Sequence, residues 1–131
     1  MGIEKKSFRS GPFQSIFANG VQVGDTLYLA GQVSMDENGG VVGAGNMEHQ
    51  LRQIFSNINN LLAEFDADMS NVVDECIFVT DVGLILENLE TFCAVRQEAY
   101  GEIPNVSQTL VQVAALVSPD LLVEIKCVAK L

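Results

Sequence analysis

Two stretches near the C-terminus set polar side chains into apolar, alternating patterns: SQTLVQVAAL at 107–116 and LLVEIKCVAKL at 121–131. Successive side chains of a strand point to opposite faces. Val123, Ile125, Cys127 and Ala129 then form one apolar row, and Leu122, Glu124, Lys126 and Val128 the other. In the earlier stretch Gln108, Leu110, Gln112 and Ala114 share a row. If the two strands are neighbours joined at Val117-Ser118-Pro119-Asp120, two glutamines, a carboxylate and an ammonium lie together on one apolar sheet surface. Function is expected there. The glutamines either hydrogen-bond a neutral ligand or satisfy each other and water. Glu124 has a plainer reading as the ion-pair partner of Lys126, two residues along and ~7 Å away on the same face.

Nucleophilic and metal chemistry find less support. Cys76, Cys93 and Cys127 are odd in number, widely spaced and set in apolar patterns, so neither a disulfide framework nor a paired metal site is suggested. A reactive thiol needs a base beside it, and the only histidine, His49, has no sequence link to any of the three. Buried packing is the expectation for the cysteines, and an exposed, non-ligating position for His49. Arg96, between Val95 and Gln97-Glu98, reads as part of a solvated helix face. No metal or cofactor is implied.

Charge and length narrow the partners. Seventeen acidic residues against seven Lys plus Arg give a net charge of −10, with the basic residues scattered. Phosphate recognition needs basic residues gathered on one surface, so nucleic acid and anionic membranes are poor partners. No apolar run reaches the ~18 residues of a membrane span. The opening MGIEKKSFRS has neither the apolar core of a signal peptide nor, with Lys6, a myristoylation motif. A cytoplasmic protein is expected, with its 131 residues forming a single domain (1–131).

The elements that must hold the polar residues follow from periodicity. IFANGVQV at 16–23 and TLYLAGQV at 26–33 read as a hairpin about Gly24-Asp25, and Val41-Val42 as a short strand beyond the turn at 36–40. Met47, Leu51, Ile54, Phe55, Ile58, Leu61, Leu62 and Phe65 then recur at helical spacing, with Asn46 as cap. VVDECIFVT at 72–80 reads as a strand with Val73, Ile77 and Val79 on one side. A second helix runs from about Leu86 to Tyr100 and is stopped by Gly101 and Pro104. Each helix has one apolar stripe, so both must cover the same face of a single sheet. That is a two-layer α+β domain, one mixed sheet with two helices packed on one face. The other face, with Leu110, Ala114, Leu122 and Val128, is too apolar for water and is expected to bury itself against further copies of the chain.

GVQVGDTLYLAGQVSMDENGGVV at 20–42, NVVDECIFVTDV at 71–82, and VQVAAL with VEIKCVA together resemble the RidA/YjgF family, also called endoribonuclease L-PSP or translation-inhibitor proteins. The resemblance spans about the whole chain. It implies a chorismate-mutase-like, ferredoxin-like fold, a homotrimer with small-metabolite clefts between subunits, and hydrolysis of reactive enamines and imines to a carbonyl compound and ammonia. It assigns a water-positioning role to Glu124. The family's carboxylate-anchoring arginine falls at Gln108, which offers one neutral amide where a guanidinium gives a two-pronged charged grip. Losing a charged hydrogen bond costs about 1.5–3 kcal/mol, so binding of small α-imino acids should be weakened. Lys126 either supplies the missing cation or seals the subunit interface. The family's Gly-Gln is kept as Gly31-Gln32 with Ala30 before it, and its cleft tyrosine becomes Phe17 or Phe13. Phe17, Ala30, Gly31, Gln108, Leu110 and Lys126 are therefore the expected ligand-binding residues. A non-catalytic ligand-binding protein on the same scaffold is the alternative.

Overall fold

A computed structural model describes residues 2–131. The N-terminal strands are built on a two-residue turn. β2 (Gly20–Val23) and β3 (Thr26–Leu29) pair antiparallel with Val23 opposite Thr26, leaving Gly24-Asp25 as the loop. Gly24 takes φ 59° while Asp25 does not share the left-handed region, which suits a turn with glycine at its first central position. The expected strands are shorter than read: residues 12–16 form turns, and β1 (Lys6–Phe8), absent from the sequence reading, pairs with β2 instead. The return strand breaks at Ala30-Gly31 and resumes as β4 (Gln32–Val33). Val41 makes only an isolated bridge to Met35.

Helix α1 (Met47–Ala63) starts where expected. The Asn46 side chain accepts from the His49 backbone N–H at 2.9 Å, and Glu48 sits in the first turn, where the helix dipole favours a negative charge. Leu51, Ile54, Ile58 and Leu62 are fully buried, the stripe the periodicity marked out. β5 (Val72–Val79) follows, but Val73 is exposed, because a register irregularity between Val72 and Asp74 takes it out of the core row and leaves Glu75, Ile77 and Val79 facing inward. The expected second helix begins earlier and is broken: α2 (Val82–Glu87) is capped by the Asp81 side chain, and α3 (Leu89–Tyr100) follows after Asn88. Gly101 ends it at φ 75°.

The last strands require the largest correction. β6 (Ser107–Gln112) pairs parallel with β5, and β7 (Val123–Lys130) pairs antiparallel with the other edge of β5. The order is β1-β2-β3-β7-β5-β6, with β4 also on β7, so β5 separates the two strands that the sequence reading placed side by side. Their connection is a crossover, and the parallel β5–β6 pair is the junction that needs the helical excursion through α2 and α3. Leu27, Leu29, Ile77, Val79, Val123, Ile125 and Cys127 meet the helices in one core. The result is a mixed sheet with three helices, α+β in class, and a sheet face on which Val111 and Tyr28 remain exposed. Leu110 and Leu122, expected on that open face, pack against the core instead.

Candidate functional site

Glu124 lies where β7 changes partner. Val128 opposes Tyr28 of β3, whereas Glu124 opposes Val33 of β4, and the chain crosses between those two strands at Ala30-Gly31. This crossing is pinned by the Ala30 N–H donating to the Asn19 carbonyl at 2.8 Å and by the Gln32 amide donating to the Ala30 carbonyl at 3.0 Å. The Glu124 carboxylate rests directly on Gly31. A Cβ there would come within 2.8 Å of the carboxyl carbon and closer still to one oxygen. Gly31 therefore supplies room for the acid, a more specific role than backbone freedom.

Glu124 lines a cavity of about 520 Å³ with Phe13, Phe17, Tyr28, Ala30, Gly31 and Lys126. The rings of Phe13 and Phe17 stack at 6.1 Å, so both of the alternatives for the cleft aromatic are present. The turn that carries them is tied down by Arg9 donating to the Gln14 carbonyl and by Ser10 N–H donating to Asn19 Oδ1. The cavity is thus rich in ring and methyl surface with one acid at its floor. Burial pushes the Glu124 carboxyl above its ordinary range, and the positive charge of Lys126 offsets part of this. Among the described residues the ion pairs do not include Glu124 with Lys126, so the plain ion-pair reading does not hold within the chain.

Gln108 and Leu110 are not at this cavity. Strand register places Gln108 beside Glu75 and Cys127, on the helix side of the sheet, opposite to Glu124 and Lys126. The single surface holding two glutamines, a carboxylate and an ammonium therefore does not exist within one chain, because β6 and β7 pair with different edges of β5. Gln112, the other glutamine, accepts from the Val82 N–H at the start of α2.

In its place the structure reveals a polar cluster on the helix side. Glu75 is fully buried, and its carboxylate accepts from Arg96, from the Tyr100 hydroxyl at 2.7 Å and from the Gln108 amide at 3.0 Å. Arg96 and Tyr100 lie four residues apart on one face of α3, which brings both over the same strand position. Arg96, expected on a solvated face, is 13 % exposed and stands over the Phe92 ring. Burial, with the charge of Glu75, pushes the Tyr100 hydroxyl far up, which keeps it a donor. The sequence held one signal for this cluster: Glu75 is in phase with Ile77 and Val79 on a core-facing row, and a buried carboxylate demands donors. Buried Cys127 is pushed up to about 12 by burial and by the nearby Glu75 and Asp74, so it is a packed thiol rather than a nucleophile. His49 is exposed, as expected.

Comparison with known proteins agrees with this architecture. Residues 12–131 match the family model described as Endoribonuclease L-PSP. A RutC family protein of Synechocystis is 33% identical over 123 residues, covering 92% of this chain and 87% of that protein. The mouse 2-iminobutanoate/2-iminopropanoate deaminase is 28% identical over 103 residues, covering 76% of this chain and 70% of that enzyme. Among solved structures, a member of the YjgF/YER057c/UK114 family from Mycobacterium tuberculosis superposes with a TM-score of 0.79 at 26% identity, covering 98% of this chain and all of that one. With the sheet order, the helical layer and these matches in agreement, the chain belongs to the endoribonuclease L-PSP family, the group also known as RidA/YjgF.

Proposed function

We propose that this protein hydrolyses small imines or enamines to a carbonyl compound and ammonia, in clefts formed between the subunits of a homotrimer. One observation carries the reading: a half-buried carboxylate, Glu124, held against a side-chain-free Gly31 at the floor of an apolar cavity. A carboxylate whose pKa is raised by burial is a stronger base than a free one, which suits it to accepting a proton from water. Glu124 would take a proton from water as its oxygen adds to the imine carbon and would pass that proton to the nitrogen, so that the electron pair of the carbon–nitrogen double bond becomes an N–H bond. Transfer of the new hydroxyl's proton to that nitrogen, again by way of Glu124, then lets the carbon–nitrogen bond break as the carbonyl forms, so that one imine and one water give one carbonyl compound and one ammonia. Phe13 and Phe17 would cover the reacting carbon and exclude bulk water.

The edge strand β6 gives the reason for invoking a second subunit. Gln108 is exposed at that edge and lies on the opposite side of the sheet from Glu124, so the two can meet only across an interface. Exposed Tyr28 and Val111 on the open face offer apolar surface for such an assembly. Gln108 of one subunit would then face the Glu124 cavity of the next. The name of the mouse relative, an iminobutanoate and iminopropanoate deaminase, supports the reaction class.

Ammonia release from imines generated in the cuvette by an amino-acid oxidase tests this reading. Acceleration over the spontaneous rate is expected for at least one small imine. No acceleration for any, together with a small molecule retained in the cavity, would establish the second reading, a ligand-binding protein, which the neutral Gln108 favours. The net charge of −10 weighs against the RNA cleavage in the family's name.

A further inference from the structure

Gln108 does more than lack a charge. Its amide nitrogen donates to Glu75 Oε1 at 3.0 Å, and that carboxylate is fully buried. A carboxylate offers only acceptors, so the amide cannot turn its oxygen inward without losing the bond and meeting a negative charge. Glu75 is itself fixed from two further directions, by Arg96 and by the Tyr100 hydroxyl. The Gln108 carbonyl oxygen receives no hydrogen bond from the described residues. The cluster thus decides which end of the amide is free.

We infer that Glu75, held by Arg96 and Tyr100, is a positioning residue that orients Gln108 with its carbonyl oxygen outward, making the cleft selective for neutral substrates that present a hydrogen-bond donor, such as a carboxamide, over substrates that present a carboxylate. This rests on the reading that Gln108 faces the ligand. An outward carbonyl accepts from an amide N–H, a hydroxyl or an ammonium, and repels a carboxylate oxygen. The direction is set from behind the sheet, by residues that never touch the ligand. A carbonyl oxygen placed where a carboxylate would sit reverses the usual demand for a cation at that point.

Two matched probes test the assignment: the imines of pyruvate and of pyruvamide, which differ in carboxylate against carboxamide. Wild-type protein should show kcat/KM at least about tenfold higher for the pyruvamide imine, the worth of one hydrogen bond made against one refused. Glu75→Gln presents either a donor or an acceptor to Gln108, which frees the amide to turn. Its preference should shrink to less than about threefold, mainly through KM, a change that general weakening of the fold would not give. Gln108→Arg keeps the bond to Glu75 from an exposed edge position, and should invert the preference by about tenfold even if the Glu75 variant does not fold. A wild-type preference for the carboxylate, or a folded Glu75→Gln protein with the preference intact, overturns the inference. Calorimetric binding of pyruvamide and pyruvate separates this from failure of the reaction itself. Tighter pyruvamide binding without turnover leaves the orientation standing and removes only the hydrolysis. Equal binding by wild-type protein removes the orientation.

Discussion

Substituting Gly31 by alanine probes the site with a single carbon atom. Gly31 is outside the left-handed region, so the backbone accepts alanine, and the fold needs no rearrangement there. The new Cβ would stand 2.8 Å from the Glu124 carboxyl carbon, against an ordinary carbon–carbon contact of about 3.5 Å, and one oxygen is nearer still. The carboxylate must retreat by roughly 1 Å, a displacement that costs on the order of 100-fold when the displaced group is catalytic. Stability should move little, because the atoms that yield are the end of a flexible side chain and the lost glycine entropy contributes about 0.4–1 kcal/mol in favour of folding. Steady-state ammonia release and urea unfolding, measured on the same preparation, check both halves. A Gly31→Ala protein with unchanged kcat would refute the idea that Glu124 must rest on Gly31 to work. A fall in stability of several kcal/mol would instead show that the contact belongs to the core.

Other expectations concern the two carboxylates and the helical layer. Because burial raises the folded-state pKa of Glu124 above 4.5, the native protein binds more protons than the unfolded chain between the two values. Stability should therefore fall as pH rises through that window, and Glu124→Gln should flatten the dependence in urea unfolding. Activity should rise with pH through the same raised value, since the ionised form takes the proton, and this limb of the pH–rate profile should vanish in the same variant. Glu75→Ala leaves Arg96 buried without its carboxylate, and a loss of about 3–5 kcal/mol is expected from denaturant unfolding. The double change Glu75→Leu with Arg96→Leu should recover most of it, as an apolar pair of similar volume needs no donors. Leu51→Ala on α1, at a fully buried position, should cost about 2–5 kcal/mol in the same assay.

How far the sequence could be read depended on whether the deciding interaction was local. Asn46 as a cap, the stripe from Leu51 to Leu62 and the stop at Gly101 are all set within a few residues, and each forms as expected. Resemblance carried the family and led to Glu124 and Gly31, which the fold brings into contact. Strand partnership was not local. Alternation assigns a residue to one of two faces but does not say which strand lies beside it, so Gln108 and Glu124 were placed on one surface when β5 separates their strands. The irregularity at Val72/Asp74 turned Val72 inward in place of Val73, a one-residue slip that no periodicity reveals. Arg96 looked solvated for the same reason, since its partner stands 21 residues away on another element.

The central claim is that Glu124 handles the water that attacks an imine, and a single comparison tests it most directly. Wild-type and Glu124→Gln proteins would be mixed with the freshly generated pyruvamide imine, and ammonia followed in a stopped-flow assay. The account predicts that wild-type protein accelerates release and that Glu124→Gln, folded and still assembled, falls by at least about 100-fold, toward the spontaneous rate. A Glu124→Gln protein that releases ammonia as fast as wild type would contradict it.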